Sequence, residues 1–542
     1  MTIWQAALIA LFTYAAWISS PWLGGQAISY QGFGKPLVAG LIVGLIMGDV
    51  KDGVIIGATI NALYVGAVTP GGAMSADINI AGYVGTALAL ATGVTPEVAV
   101  SVAVPLGIIG TFAWQLFATI NSFLVHKTDK YAADADLGKL TWMTLGLPQI
   151  IAFLIRFVPC FLVLYFGSSL AQGIVAYIPA SLIHIFTVVG GMLPAIGMAV
   201  LIKMLLPSPF FLGYLVIGYV CVAALKLPVF TVALIGAAIA MISMLGISDK
   251  MPKLTESAAD GELHADSEQP SEDVRTLTDE DIKKVTRRWL FSNTSAWSYE
   301  RMQNVGFAWS LAPALKKLYP QKDDLGTALT RHMVFFNTEM TIGTPIVGAV
   351  LAMEDQRAHG ADVPDDMIDA IKAGLMGPLA ALGDSLYGST LNALLLSFCM
   401  GLALTGNALG PIIFIVAWTV LTIGISFWGV KFGYKQGMNI MDSQIFSPEA
   451  ISQITRVLSI LGLIVIGGLT AGFVTVTTPI AWGMGDAATA LQGILDGLMP
   501  GLLPFIVTGV IWYLHDRKNA SVTKLLLGLI VVGIVGAIIG LF

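Results

Sequence analysis

The chain has 542 residues, 56% hydrophobic and only 11% charged, with a mean hydropathy of +0.81 and a formal net charge of -6. A soluble domain carries roughly a quarter charged residues, so a water-soluble globule is excluded, and the acidic balance gives no support to nucleic-acid binding. What remains is an all-α, polytopic membrane protein.

Residues 1–23 lack a basic leader and a small-residue cleavage site, so they read as a first membrane segment. Further apolar runs follow at about 36–48, 53–69, 80–124, 142–167, 173–205 and 209–247. Several are shorter than the roughly 20 residues of a straight span, which predicts broken or re-entrant helices. Asp49 ends one run and reads as an interfacial or capping residue. Pro70-Gly71-Gly72-Ala73-Met74-Ser75-Ala76-Asp77 reads as a broken-helix hairpin. Cys160, Cys221 and Cys399 all lie in apolar runs, and an odd count without metal-like spacing predicts neither disulfides nor zinc.

Composition changes at the middle of the chain. Residues 249–276 are charged and small without an apolar period, as linkers are. Thr278 then caps a predicted helix whose first acids, Asp279, Glu280 and Asp281, suit its N-terminal dipole. Basic residues around this joint, Lys250, Lys253, Lys283, Lys284, Arg287 and Arg288, place it in the cytoplasm. Residues 289–385 are less apolar, and Tyr299 to Gln303 read as a surface or interfacial helix end. Strongly apolar spans return at about 386–405, 409–430, 453–476, 492–514 and 521–542. The expected organisation is a membrane domain over 1–248, a flexible polar linker over 249–276, and a second domain over 277–542. In that second domain, amphipathic, cytoplasmic-side helices extend to about 385 and membrane helices follow.

Polar groups beside helix breaks mark candidate sites, because hydrocarbon tolerates irregular backbone only beside protein or a water-filled cavity. Asn337 and Glu339 precede a Gly/Pro-broken run, and Asp384 follows Pro378 and Gly383. Carboxylates and amides together supply acceptors and donors for a ring of hydroxyls. Asn61 and Asp77 are the candidates in the first half. Each has a structural alternative: an interhelical hydrogen bond for Asn61, a helix N-cap for Asp77 and Asp384, local backbone capping for Asn337. Glu354-Asp355-Gln356-Arg357 reads as a solvated face with an internal ion pair, and His332 as an interfacial structural residue.

Residues 277–542 resemble the IID subunit of mannose-family (mannose/fructose/sorbose) phosphotransferase-system permeases. The resemblance is carried by Trp297-Ser298-Tyr299-Glu300-Arg301-Met302-Gln303, Arg331-His332-x-x-Phe335-Phe336-Asn337-Thr338, Gly374 to Asp384, and Leu498-Met499-Pro500-Gly501-Leu502. The first half resembles the IIC subunit through Lys35-Pro36-Leu37-Val38, Gly44 to Asp49, Asp129-Lys130-Tyr131-Ala132-Ala133, and Gly190 to Gly197. IIC and IID are usually separate chains, so this chain resembles a fusion, with two pseudo-related membrane halves. The resemblance implies a multi-pass permease of the bacterial cytoplasmic (inner) membrane, in contact with lipid and assembled as a homotrimer. It would move a hexose or hexosamine by an elevator-like slide. Phosphorylation would come from separate IIB and IIA phosphocarrier subunits. No catalytic residue, metal or cofactor is implied in this chain, and no phosphohistidine domain is recognised. The family pattern carries an acid or amide at Asn61 and an acid at Asp77. Glu339 stands where the mannose-type pattern has an uncharged residue, which leaves the sugar open.

Two other classes fit composition alone. An ion-coupled secondary transporter would use Asp77, Glu339 and Asp384 as ion-binding carboxylates and deliver free sugar rather than sugar phosphate. A receptor or scaffold would show no sugar-dependent stabilisation. The linker composition generates one prediction. A gene split between Glu262 and Glu272, with both pieces co-expressed, retains sugar uptake; loss of uptake at normal membrane levels of both pieces would give the joint a role beyond tethering.

Overall fold

The computed structural model describes residues 1–65, 76–175, 180–245, 276–437, 448–482 and 489–542. Residues 70–75 of the expected hairpin at 70–77 and the linker before Thr276 lie outside these residues. Thr2 opens α1 (Ile3–Ala15) with a capping box to Gln5. The chain then breaks and re-forms as α2 (Gln26–Ile28), which runs into a π-helical turn, Ser29–Phe33. Pro36 starts α3 (Pro36–Met47), bent by 72° from the preceding piece. Asp49 caps α4 (Val50–Tyr64), and Asp77 caps α5 (Ile78–Thr92). The long α6 (Pro96–Ala133) leads through α7 (Leu137–Thr141) and a second π-helical turn to α8 (Leu147–Val175). Four apolar helices complete the half: α9 (Ala180–Met192), α10 (Pro194–Leu205), α11 (Leu212–Ala223) and α12 (Val229–Leu245).

In the second half Thr278 caps α13 (Asp279–Ser292), as the sequence predicts, and Asp281 completes a capping box. Next come α14 (Asn304–Leu318), α15 (Lys322–Arg331), α16 (Thr344–Ala358) and α17 (Asp365–Leu382). The expected break at Pro378 is absent. Pro378 sits inside α17, and the irregularity begins at Gly383 as a π-helical stretch, Gly383–Leu391, that continues into α18 (Asn392–Ala403). A membrane-type helix accepts proline when neighbouring helices and local adjustments re-satisfy the freed backbone groups. Then follow α19 (Leu409–Gln436), α20 (Pro448–Phe473), a minimal antiparallel pair of Ala481–Trp482 with Thr489–Ala490, α21 (Leu491–Leu498), α22 (Leu502–Asp516) and α23 (Val522–Ile538). Among the described residues four helices are long and apolar enough to cross a membrane, or up to 6 if each of two bent pairs is one span.

The halves interleave. First-half α11 and α12 pack on α20, α10 packs on α20 and α22, and α9 packs on α23. The helices α1 to α8 adjoin α13 to α19 through α3 with α19 and α6 with α15. One hydrophobic core runs through both halves, from Trp17, Trp114 and Ile202 to Trp297, Trp418 and Leu469. A second lies mainly under α13 to α17. Close approach of α11 and α20 is reciprocal. A Cβ on Gly218 would overlap the Ile464 carbonyl, and one on Gly467 would overlap the Leu215 carbonyl. Neither backbone oxygen can turn away as a side chain would. Gly218→Val is therefore expected to cost about 1–3 kcal/mol. In a chain split at the joint, it is expected to reduce co-purification of the two pieces, as measured by pull-down from detergent.

Candidate functional site

A small, partly open cavity of about 50 Å³ lies between the halves. Ile18, Gln26, Gln31 and Trp114 line it from the first half. Thr294, Trp297, Gln303, Asn337, Thr338, Glu339, Met340, Ala380, Asp384 and Gly388 line it from the second.

The first-half wall is the broken stretch between α1 and α3. Ending α1 early releases carbonyls that have no helical partner, and side chains bond them. Asn79 Nδ2 donates to Ala16 O at 3.0 Å, Thr294 Oγ1 to Ile18 O at 2.7 Å, and Gln149 Nε2 to Ser19 O at 2.9 Å. Trp418 Nε1 donates to Ala27 O at 2.7 Å, and Asn392 Nδ2 to Gln31 O at 3.2 Å. Gln149 Nε2 also donates to Ser295 O at 2.9 Å, tying the start of the second wall to the first. Gln26 and Gln31 are thereby held at the cavity.

The second wall is the loop between α15 and α16. Gln303 clamps it: its Nε2 donates to Thr338 O at 2.8 Å, and Thr338 N donates back to Gln303 Oε1 at 3.1 Å. Trp289 Nε1 donates to Met340 O at 2.8 Å, and Asn304 Nδ2 to Met333 O at 2.8 Å. Glu339, in this loop and outside the membrane-crossing helices, is 8% exposed. Its Oε2 accepts from Thr341 N at 3.0 Å and Ile342 N at 2.6 Å. Burial pushes its carboxyl up to about 7; the two backbone donors favour the charge, while nearby Asp384 opposes it. Gly383 makes this placement possible, because a Cβ there would overlap Glu339 Cβ and crowd its Cγ and Oε2. Buried Gln26 Oε1 and Thr338 Oγ1 find no partner among the described residues. The Trp114 and Trp297 rings meet across the two halves at 4.8 Å. Carboxylates, an unpaired amide oxygen and hydroxyl, and indole faces suit a polyhydroxylated ring, which offers hydroxyls at its edge and C–H groups on its face. Among the described residues, no histidine lines the cavity.

Of the sequence candidates, Asn337, Glu339 and Asp384 meet in this cavity, and Asn61 and Asp77 do not line it. Asn61 bridges helices instead: Leu37 N donates to its Oδ1 at 3.4 Å, and its Nδ2 reaches Met400 Sδ at 3.3 Å. Asp77 caps α5 and pairs with Arg156 Nη1 at 2.5 Å, both side chains fully buried. Arg156 also donates to Asn79 Oδ1 at 2.6 Å and lies 4.7 Å from the Trp17 ring, behind Trp114. The expected solvated face at Glu354 to Arg357 is corrected: Glu354 and Asp355 are fully buried. Glu354 meets Arg331 at 2.5 Å, His332 at 2.9 Å and the Tyr319 hydroxyl at 2.7 Å. Burial opposes its charge, but these partners outweigh burial and hold its carboxyl at about 2. Asp355 accepts from Leu277 N and the Tyr434 hydroxyl. His332 is buried rather than interfacial. Gln303, expected at a surface or interfacial helix end, is buried at the cavity, as is Trp297, whereas Tyr299 is exposed. Gln26 and Gln31 were not anticipated, although two glutamines among Gly24, Gly25, Gly32 and Gly34 between apolar runs are a readable signal.

Residues 276–542 match the family model described as the mannose/fructose/sorbose family IID component of the phosphotransferase system, and residues 3–242 match that of the sorbose-specific IIC component. The mannose-specific EIID component of Escherichia coli K12 is 36% identical over 276 residues, covering 49% of this chain and 95% of the relative. The sorbose-specific EIID component of Klebsiella pneumoniae is 36% identical, covering 48% of this chain and 98% of the relative. The N-acetylgalactosamine permease IIC component 1 of Escherichia coli K12 is 28% identical over 211 residues, covering 38% of this chain and 77% of the relative. The two matches do not overlap and leave residues 243–275, around the joint, between them. The chain belongs to the mannose/fructose/sorbose family of phosphotransferase-system permeases, with a IIC and a IID component carried in one polypeptide.

Proposed function

We propose that the cavity between the halves is the sugar site of this permease and that it takes a hexose or hexosamine. The observation that carries this reading is that both components supply polar and aromatic lining to one shared cavity. Asn337, Glu339, Asp384 and Gln26 bind hydroxyls, Thr338 adds its unpaired oxygen, and Trp114 and Trp297 face the ring. Separate IIA and IIB subunits bring the phosphoryl group from phosphoenolpyruvate. The P–N bond of the donor's phosphohistidine breaks as a P–O bond forms to a sugar hydroxyl, and the hydroxyl proton ends on the freed imidazole. The group α1 to α8 with α13 to α19 carries the cavity, whereas α9 to α12 with α20 to α23 form a neighbouring group. That division supports an elevator-like slide of the first group against the second. The working unit is a homotrimer in the bacterial cytoplasmic membrane, with 1–248 and 277–542 as its two domains and 249–276 as the joint. Sugar phosphate rather than free sugar inside cells supplied with IIA and IIB is the test of coupling.

Glu339→Gln is expected to weaken sugar binding about ten- to a hundred-fold, because a hydrogen bond to a charged acceptor contributes roughly 1.5–3 kcal/mol. Expression is expected to stay near normal; unchanged affinity would remove Glu339 from the site. With a carboxyl near 7, the ionised form gains as pH rises through 7. Wild-type sugar affinity is thus expected to increase from pH 6 to pH 8, while the glutamine variant stays flat, as read by titration calorimetry.

Gly383→Ala crowds Glu339 from behind. Overpacking costs about 1–3 kcal/mol, and here the displaced group faces the ligand, so sugar affinity is expected to fall about ten-fold. Gly377→Ala is the control on the same helix, since an added Cβ there meets open space. Equal affinities in the two variants would refute the packing argument.

A further inference from the structure

The loop that closes the cavity has a second side. Met302 bridges antiparallel to Ser298 and parallel to Phe336, and Gln303 N donates to Phe336 O at 2.9 Å. The two crossed segments form a thin wall. Trp297, Gln303, Asn337, Thr338 and Glu339 line the sugar cavity from it. Their neighbours Glu300, Arg301, Met333, Val334 and Phe335, with Asp129 of α6, line a separate open groove of about 570 Å³. Val334 and Phe335 are 40% and 45% exposed there, with Tyr299 also exposed beside them in sequence to Glu300. Arg301 Nη1 is held by the two Asp129 oxygens at 2.7 and 2.8 Å.

We propose that this groove is the docking face of the phosphocarrier subunit, the protein whose phosphohistidine donates to the sugar. The proposal rests on reading the adjoining cavity as the sugar site. Three observations favour that occupant. The donor must bring its phosphoryl group to the sugar, and here a single layer of two loops separates groove from cavity. The groove also lies at the C-terminal end of α6, where Gly326 of α15 packs on Ala133. Exposed Lys127, Lys130, Lys139 and Lys322 cluster on these elements and their neighbours, and such basic ends face the cytoplasm, where the donor is. Finally, the surface chemistry is that of a protein interface. Exposed aliphatic and aromatic side chains sit beside an arginine and two carboxylates, a mixture suited to a folded partner and unsuited to acyl chains. The wall also contains a point where backbone conformation is costly: Met302 has φ 55, in the left-handed region. A docked subunit pressing on Arg301 and Phe335 acts on both flanks of that residue.

The test uses the full chain in nanodiscs with its purified IIB subunit. A photo-crosslinking residue at Val334 is expected to capture IIB. The double change Val334→Asp with Phe335→Asp is expected to weaken IIB binding at least ten-fold and slow sugar phosphorylation, with sugar affinity unchanged. Val334→Ser gives a milder second variant, expected to show a smaller loss in the same direction, should the double variant not fold. Unchanged IIB affinity in a variant that still binds sugar overturns the proposal, as does a crosslink confined to lipid or to a second copy of this chain. The sugar-site reading fails separately. If Glu339→Gln leaves sugar affinity intact while Val334 still captures IIB, the cavity assignment falls and the groove remains a IIB contact.

Discussion

The arrangement depends on carbonyl groups that α1 and α2 leave unbonded. In surroundings this apolar, each unsatisfied backbone group costs several kcal/mol. The break after Ala15 releases a series of them, and the donors that meet them come from α5, α8, α18, α19 and the turn after α13. Three of these donors, Thr294, Asn392 and Trp418, belong to the other component. The interface between IIC and IID is therefore keyed by hydrogen bonds at fixed positions as well as by apolar packing. A shift of one component along the other would return several carbonyls to an unpaired state. The cavity inherits this precision, since Ile18, Gln26 and Gln31 lie on the keyed segment.

Two buried glutamates show how environment sets how firmly a charge is held. Glu354 has Arg331, His332 and Tyr319 around its carboxylate and stays ionised. Such a group fixes α15 against α16 and is costly to disturb, because removing one partner strands the other. Glu339 has two backbone donors on one oxygen and a second carboxylate nearby. Its charge is held weakly. A carboxyl raised from its ordinary value toward 7 contributes stability in acid that is lost as pH rises through 7, so ionising it works against the fold unless a ligand supplies donors. A sugar hydroxyl is such a donor.

The sequence revealed most where the signal was local. The cap at Thr278, the cap at Asp49 and the helix pieces too short to span each depend on a few consecutive residues. Asn337, Glu339 and Asp384, singled out as candidates, line one cavity, since polar residues beside Gly and Pro in an apolar chain have few other places to go. Asp77 was harder. Its partner, Arg156, lies 79 residues away, and pairing over that distance is a property of packing. Arg156 was itself a clue, a lone cation inside the apolar run 142–167 that must find an anion. Glu354 and Asp355 misled because consecutive charges resemble a solvated face. On a helix, adjacent residues point about 100° apart, and each acid found its own buried partners in α15 and α19, or beside α13.

The interleaving of the two components bears on why they share one chain. While the IIC half is being made, its broken segment has no access to Thr294, Asn392 or Trp418, since these belong to residues synthesised later. As separate chains, the halves would have to find each other by diffusion in the plane of the membrane, with those carbonyls unbonded during the search. A covalent joint replaces that encounter with an intramolecular one. It also sets the ratio of the halves at one to one, whatever the rates of translation. The fusion acts on the lifetime of the half-assembled state and leaves the finished interface to the side chains that key it.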